Sequence, residues 1–335
     1  MKPVTARHSL AVWTLVLMSM RLAVGQRTPE SALNSAEGAD RFRLRAETNL
    51  VVIEATVRDE DGGIVNDLTR SAFHVFEDGV EQQISYFSRD ELPLAVALVV
   101  DSSGSMDPVL RQLRRVAYDT LSLLKPDDRV ALFDFAARAE LLEGLTKDRR
   151  RIVNALSAIQ VGGGTVVPDA LYEAAAYLAH AAPSERHAVL LLSDNENTLK
   201  GYVTEPRLIR QALEAEAVIY SVRIREGLHP HMMPVLLPIY RDVSVEKIAR
   251  ETGGEVIDAR SIKDVGPSMA TAISRLRQRY SLGYYSTNHR HDGAFREVQI
   301  RVDAGANGPH HKYTVYARRG YYARPQDAGS FSTLR

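Results

Sequence analysis

The sequence predicts an α/β fold: a doubly wound, mostly parallel sheet inserted in, or flanked by, a small antiparallel β-sandwich. Three observations predict it. Residues 94–100 form an unbroken apolar run, the pattern of a strand buried on both faces of a parallel sheet. Similar runs follow, separated by stretches of helical periodicity. Short segments of period-two alternation stand on both sides of this unit.

In order along the chain, residues 26–46 are polar, carry Pro29 and mixed charge, and read as a disordered lead-in. Val51, Ile53 and Val57 then alternate with more polar neighbours up to the turn Asp61-Gly62-Gly63. Phe73 and Val75 repeat the pattern before Asp78-Gly79, and Ile84, Tyr86 and Phe87 follow. These three to five short strands bury too little surface to fold unaided. Past the 94–100 run, Val109, Leu113, Val116, Leu121 and Leu124 recur at helix-like spacings. Further apolar strands are expected at 130–135, 188–192 and 218–222, with helices at 149–159, 168–180 and 205–215. The last unit is a helix over 245–252, a Gly253-Gly254 stop, a strand at Val256-Ile257 and a helix over 262–279. After Tyr280 the alternation returns through Leu282, then Val298, Ile300 and Val302, then Tyr313 and Val315. Residues 324–335 read as a disordered tail. The two ends of such an α/β unit usually lie close together. Residues 47–91 and 281–323 are therefore expected to be the two halves of one β-sandwich, with residues 92–280 as the α/β domain between them.

Composition narrows the function classes. Lys plus Arg and Asp plus Glu each number 42, so no net charge draws the chain toward nucleic acid or anionic lipid. The basic runs Arg149-Arg150-Arg151 and Arg318-Arg319 are read as solvated faces. Lys2 and Arg7 precede an apolar run over 10–20, and Ala23-Val24-Gly25 offers small residues for cleavage, so residues 1–25 read as a signal peptide. That run is shorter than the ~20 residues a membrane span needs. The chain is expected to be exported to the periplasm, cell surface or medium, with no integral membrane segment once the signal is removed. It contains no cysteine, which excludes disulfides and lipid attachment at a lipobox.

The chemistry converges on one edge. Asp101-Ser102-Ser103-Gly104-Ser105 follows the first buried strand, at the carboxyl edge where open α/β sheets bind ligands. Asp101, Ser103 and Ser105 alternate along the loop and offer hard oxygens suited to Mg²⁺, Mn²⁺ or Ca²⁺. Thr165 follows the loop Gly162-Gly163-Gly164, and Asp194 follows the strand at 188–192, so both reach the same edge. Two carboxylates and three hydroxyls leave a cation short of negative charge, ready to accept an acidic group from outside. The small hydroxyl and carboxylate set favours Mg²⁺.

Asp-x-Ser-x-Ser-Met after an apolar strand, a Gly-Gly-Thr loop and an apolar strand ending in Ser-Asp together resemble the metal-ion-dependent adhesion site (MIDAS) of von Willebrand A domains. The resemblance implies a von Willebrand A/Rossmann-like sheet. It also implies direct metal contacts from Ser103, Ser105 and Thr165, and contacts largely through water from Asp101 and Asp194. Members usually carry Gly after the last Asp; here Asn195 stands there, a residue that tolerates left-handed backbone. Glu196 is expected to point to solvent. The segments Phe73-His74-Val75-Phe76-Glu77-Asp78-Gly79, Tyr280-Ser281-Leu282-Gly283-Tyr284-Tyr285 and Arg319-Gly320-Tyr321-Tyr322 resemble an exported bacterial von Willebrand A-related family named from acidobacteria.

These readings make the chain an exported, metal-dependent binding or adhesion protein. Its expected partner is a protein offering an Asp or Glu carboxylate, or a second copy of itself, and not nucleic acid. A scaffold that binds through the sandwich, with a non-essential metal site, is the alternative. A metal-dependent hydrolase is disfavoured, because the sequence holds no Gly-x-Ser-x-Gly elbow, Walker loop or His-Glu-x-x-His. The pairs His229/His231, His289/His291 and His310/His311 sit in turn-rich sequence and are read as exposed. Residues 226–244, rich in Met, Leu, Val and Ile, are expected either to flank the metal edge or to cap the domain's own core.

Overall fold

The computed structural model describes residues 50–89, 92–225, 243–303 and 312–324. The signal segment, the lead-in, most of the 226–244 loop, two of the three histidine pairs and the tail beyond Arg324 lie outside them. Strands β1 (Leu50–Arg58), β2 (Phe73–Glu77), β3 (Val80–Gln82) and β4 (Ile84–Arg89) precede the α/β unit. Strands β11 (Tyr280–Tyr285), β12 (Phe295–Val302), β13 (Thr314–Ala317) and β14 (Gly320–Tyr322) follow it. They form two four-stranded sheets in the orders β13-β1-β11-β4 and β14-β12-β2-β3, so both chain segments contribute to each sheet. β1 runs antiparallel to β11 from Leu50↔Tyr285 to Ala55↔Tyr280. Period-two alternation turns Ile53, Ala55 and Val57 of β1 and Tyr280, Leu282 and Tyr284 of β11 inward, where they meet Phe73, Val75, Val298 and Ile300 of the other sheet. The buried tyrosines keep partners for their hydroxyls. That of Tyr284 donates to the buried Glu77 carboxylate at 2.9 Å, and that of Tyr280 donates to the Val65 carbonyl.

Between these halves lies a six-stranded sheet of β5 (Leu94–Asp101), β6 (Arg129–Phe135), β7 (Ala139–Thr146), β8 (Arg186–Ser193), β9 (Ala217–Ile224) and β10 (Val256–Ala259). Its order is β10-β9-β8-β5-β6-β7, parallel except for β7. The expected fold class is the one found. Alternation along β5 sends Val96, Leu98 and Val100 to one face, against α1 (Asp107–Leu121), α2 (Arg149–Ala158) and α6 (Val265–Arg277). It sends Ala95, Ala97 and Val99 to the other, against α3 (Val167–Ala181), α4 (Glu205–Glu214) and α5 (Val245–Glu251). Both faces of β5 are thus covered, which is why its sequence carries no polar alternation.

Two readings need correction. β7 had no counterpart in the sequence reading; it is an antiparallel edge strand with bulged pairing to β6, so its burial does not alternate cleanly. Arg318 is not a solvated charge. It is buried, and its guanidinium donates to the Val52 carbonyl at 2.8 Å. Arg149 likewise donates to the carbonyls of Lys125 and Asp128. The Gly253-Gly254 stop is required sterically. Gly253 has φ +81°, and a Cβ on Gly254 would lie 1.9 Å from the Ile219 carbonyl oxygen.

Leu282 is fully buried between the two small sheets. Leu282→Ala should lower unfolding free energy by about 2–5 kcal/mol, read from the urea midpoint of the whole chain.

Candidate metal centre

The strand order reverses beside β5. The chain goes from β5 to β6 and β7 on one side, then crosses to β8, β9 and β10 on the other. The crevice at the carboxyl ends of β5 and β8 is therefore a topological switch point. Asp101 ends β5 and Asp194 directly follows β8. The parallel register that sets Val100 beside Leu192 brings Asp101 beside Ser193, whose hydroxyl donates to Asp101 Oδ2 at 2.6 Å. Asp101 Oδ1 accepts from the Ser103 backbone N–H at 2.8 Å, which folds the loop back over the strand end. A 3₁₀ turn at Gly104–Met106 then leads into α1.

Four of the five predicted residues join in one hydrogen-bonded chain. The Ser103 and Ser105 hydroxyl oxygens lie 3.2 Å apart, and Ser105 donates to Asp194 Oδ2 at 3.1 Å. Thr165 reaches the edge on the neighbouring loop and takes no part in that chain. Its backbone is tied to the loop after β8: its N–H donates to Thr198 Oγ1 at 2.8 Å, and its carbonyl accepts from the N–H groups of Thr198 and Leu199. Asn195 adopts φ 64°, the left-handed backbone that its place after Asp194 requires. Its side-chain oxygen accepts from Ser221 Oγ on β9. Glu196 is only partly exposed, and its N–H donates to Asp194 Oδ1.

The oxygens suit a hard cation. Adjacent corners of an octahedron around Mg²⁺ at ~2.1 Å lie about 3 Å apart, and the two spacings through Ser105 are 3.2 and 3.1 Å. Asp101 is fully buried. Burial, with the Asp194 charge second, pushes its carboxyl up to about 7, against the opposing hydrogen bonds from Ser193 and Ser103. None of the groups among the described residues that shift this carboxyl carries a positive charge. Among the described residues no group of three or more His, Cys, Asp or Glu side chains is arranged to hold a metal, so a site here must use hydroxyl oxygens.

Two contributors escaped the sequence reading. Ser193 orients Asp101, and its only signal was its place before Asp194. Asp134, the single acid in the apolar strand β6, interacts with Ser102; burial raises its carboxyl, and its buried Oδ1 has no hydrogen-bond partner. Beside the edge, a groove of about 960 Å³ continues along β7 and α3, where Leu141, Leu199 and Tyr202 are exposed. Of the pair His289/His291, His289 is exposed as expected, whereas His291 is only partly exposed.

Residues 96–196, from β5 past Asp194, match the family model of the von Willebrand factor type A domain. The chain thus carries a domain of that class. An uncharacterized protein of Synechocystis is 29% identical over 109 residues, which are 32% of this chain and 26% of that one. The chain therefore spans about a quarter of that relative's length. Among solved structures, a von Willebrand factor type A protein from Catenulispora acidiphila superposes with TM-score 0.47 at 13% identity, over 76% of this chain and 74% of that one. Proximal thread matrix protein 1 from the mussel byssus, with a zinc-occupied MIDAS motif, gives TM-score 0.45 at 19% identity, over 60% and 49%. An aerotolerance-related membrane protein from Bacteroides fragilis gives 0.43 at 17%, over 54% and 99%. No helix among the described residues is long and apolar enough to cross a membrane.

The Asp101 shift sets a pH dependence. Its pKa in the folded, metal-free chain lies above the unfolded value, so the native state holds the proton more tightly. The resulting stability is full below about pH 4 and is lost as pH rises through about 7. The whole effect is on the order of 4 kcal/mol. In chelator, the unfolding midpoint of Asp101→Asn should therefore exceed that of wild type at pH 8 and approach it at pH 5, as followed by circular dichroism.

Proposed function

We propose that this chain is an exported binding protein whose Asp101, Ser103, Ser105, Thr165 and Asp194 hold a divalent cation, Mg²⁺ before Mn²⁺ or Ca²⁺. The cation in turn takes an Asp or Glu carboxylate of a partner protein or of a second copy. One observation carries the reading: a fully buried carboxylate at a switch point, with no cation shifting it among the described residues, beside hydroxyl and carboxylate oxygens 3.1 and 3.2 Å apart. Bound there, the cation supplies a positive charge with an open coordination position. The chain's own residues do the rest. Ser193 and the Ser103 N–H fix Asp101, the loop after β8 fixes Thr165, and the left-handed Asn195 turns the chain so that Asp194 faces Ser105. The groove along Leu141, Leu199 and Tyr202 gives the partner apolar surface beside the acidic contact.

Binding is favoured over hydrolysis by the donor set. Neutral hydroxyls neither fix nor activate water as strongly as histidine and carboxylate ligands, and among the described residues no group of three or more His, Cys, Asp or Glu side chains could hold a metal. Export rests on residues 1–25 and is part of the same proposal.

Calorimetric titration of the purified chain with Mg²⁺, Mn²⁺ and Ca²⁺ tests it. One saturable site is expected, weakened about 10–100-fold by Ser105→Ala and abolished by Asp101→Ala. Equal heats from wild type and Asp101→Ala would sink the reading.

A further inference from the structure

The opposite end of the same sheet holds a second concentration of charge. A cavity of about 410 Å³ opens at the amino ends of β8 and β9, where the large sheet meets β1. Arg186, Arg279 and Arg318 line it, none more than 9% exposed. All three guanidinium groups act on Glu54 of β1. Arg186 is hydrogen-bonded to its carboxylate, Arg279 Nε stands 3.6 Å from Oε2, and Arg318 adds a weaker attraction. Burial alone would raise the Glu54 carboxyl, yet these arginines hold it below the usual range.

Three buried guanidinium charges face one half-buried carboxylate, an excess of two positive charges (3 − 1 = 2) before the exposed Arg324 and Glu216 at the rim are counted. Other acids around the cavity offset little of this. Glu185 is paired with Arg129, and Glu214 with Arg210, outside the lining. Glu216 lies 3.5 Å from Arg318 Nη1 but is 61% exposed. Backbone carbonyls take some of the donors: Leu276 from Arg186, Gly253 and Glu54 from Arg279, Val52 from Arg318. Nε and Nη1 of both Arg279 and Arg318 nevertheless remain buried without a hydrogen bond. Water could fill those donors. It could not neutralise the charge, and a buried charge without full compensation is strongly destabilising.

We propose that this junction cavity is an oxyanion site that takes a small dianion of the sulfate or hydrogenphosphate type, held by Arg279 and Arg318. Such an ion matches the excess charge and presents acceptors on all sides to the four unfilled donor nitrogens. It also ties β1 of the sandwich to the amino edge of the α/β sheet. The site is independent of the metal edge, which lies at the other end of β8.

Titration of the full chain with sulfate, phosphate and acetate at constant ionic strength, in chelator, tests this. Calorimetry should show one saturable site for sulfate and phosphate, with acetate at least about tenfold weaker for want of the second charge. The unfolding midpoint should rise with ligand by about 3 °C or more. Asp101→Ala should bind sulfate as wild type does. Arg279→Gln should lose binding, and Glu216→Gln should tighten it about threefold by removing the rim charge. Glu216 is exposed, so that gain does not depend on a variant that fails to fold. No saturable binding to wild type, equal affinity for acetate and sulfate, or unchanged affinity in Glu216→Gln would each overturn the assignment.

Discussion

The ladder between β1 and β11 closes the chain on itself, and much of the architecture depends on that closure. Neither strand pairs in its sheet with a strand of its own chain segment: β1 lies between β11 and β13, and β11 between β1 and β4. Ile53 and Ala55 of β1 need Leu282 and Tyr284 of β11 beside them, and Phe73 and Val298 opposite, before any of these residues leaves water. Closing so long an intervening chain costs less when that chain is itself compact. The α/β unit is, because the apolar faces of β5 and β8 are sealed by helices on both sides. The ladder thereby holds Glu54 against the amino edge of the large sheet, where Arg186 and Arg279 meet it.

At the other edge the same parallel geometry concentrates acid. Strands that run together end together, so Asp101 and Asp194 arrive side by side at the point where the winding reverses. Among the described residues, the Ser193 and Ser103 hydroxyls and the Ser103 backbone N–H stabilise the Asp101 charge, and they do not offset its burial. Acids thus gather at the carboxyl edge and arginines at the amino edge among the described residues.

Most of this was legible in the residues. The apolar runs marked β5, β6, β8 and β9, because strands buried on both faces leave no room for polar alternation. The Asp-x-Ser-x-Ser loop and the Asp after β8 could be placed on one edge once those strands were known. Asn195 could be matched to a left-handed turn, and its φ is 64°. What could not be read depends on distant partners. β7 carries Glu140, Glu143 and Gly144 and bulges against β6, so no periodic signal survives. Arg318 stands beside Arg319 in the sequence like any surface pair; only its approach to Val52 and Glu54, far back in the chain, makes it a buried cation. Ser193 looks like the last residue of a strand until the register sets it against Asp101.

β8 begins at Arg186 and ends one residue before Asp194, and its eight residues span about 26 Å. One strand therefore joins the candidate cation edge to the arginine junction and, through Glu54, to the small sheets. A pull applied at the carboxyl edge travels lengthwise down β8 into β1. The ladders to β5 and β9 then meet that tension in shear, with their hydrogen bonds loaded together rather than peeled apart in turn. A lengthwise load on β8 is thus shared by two ladders at once.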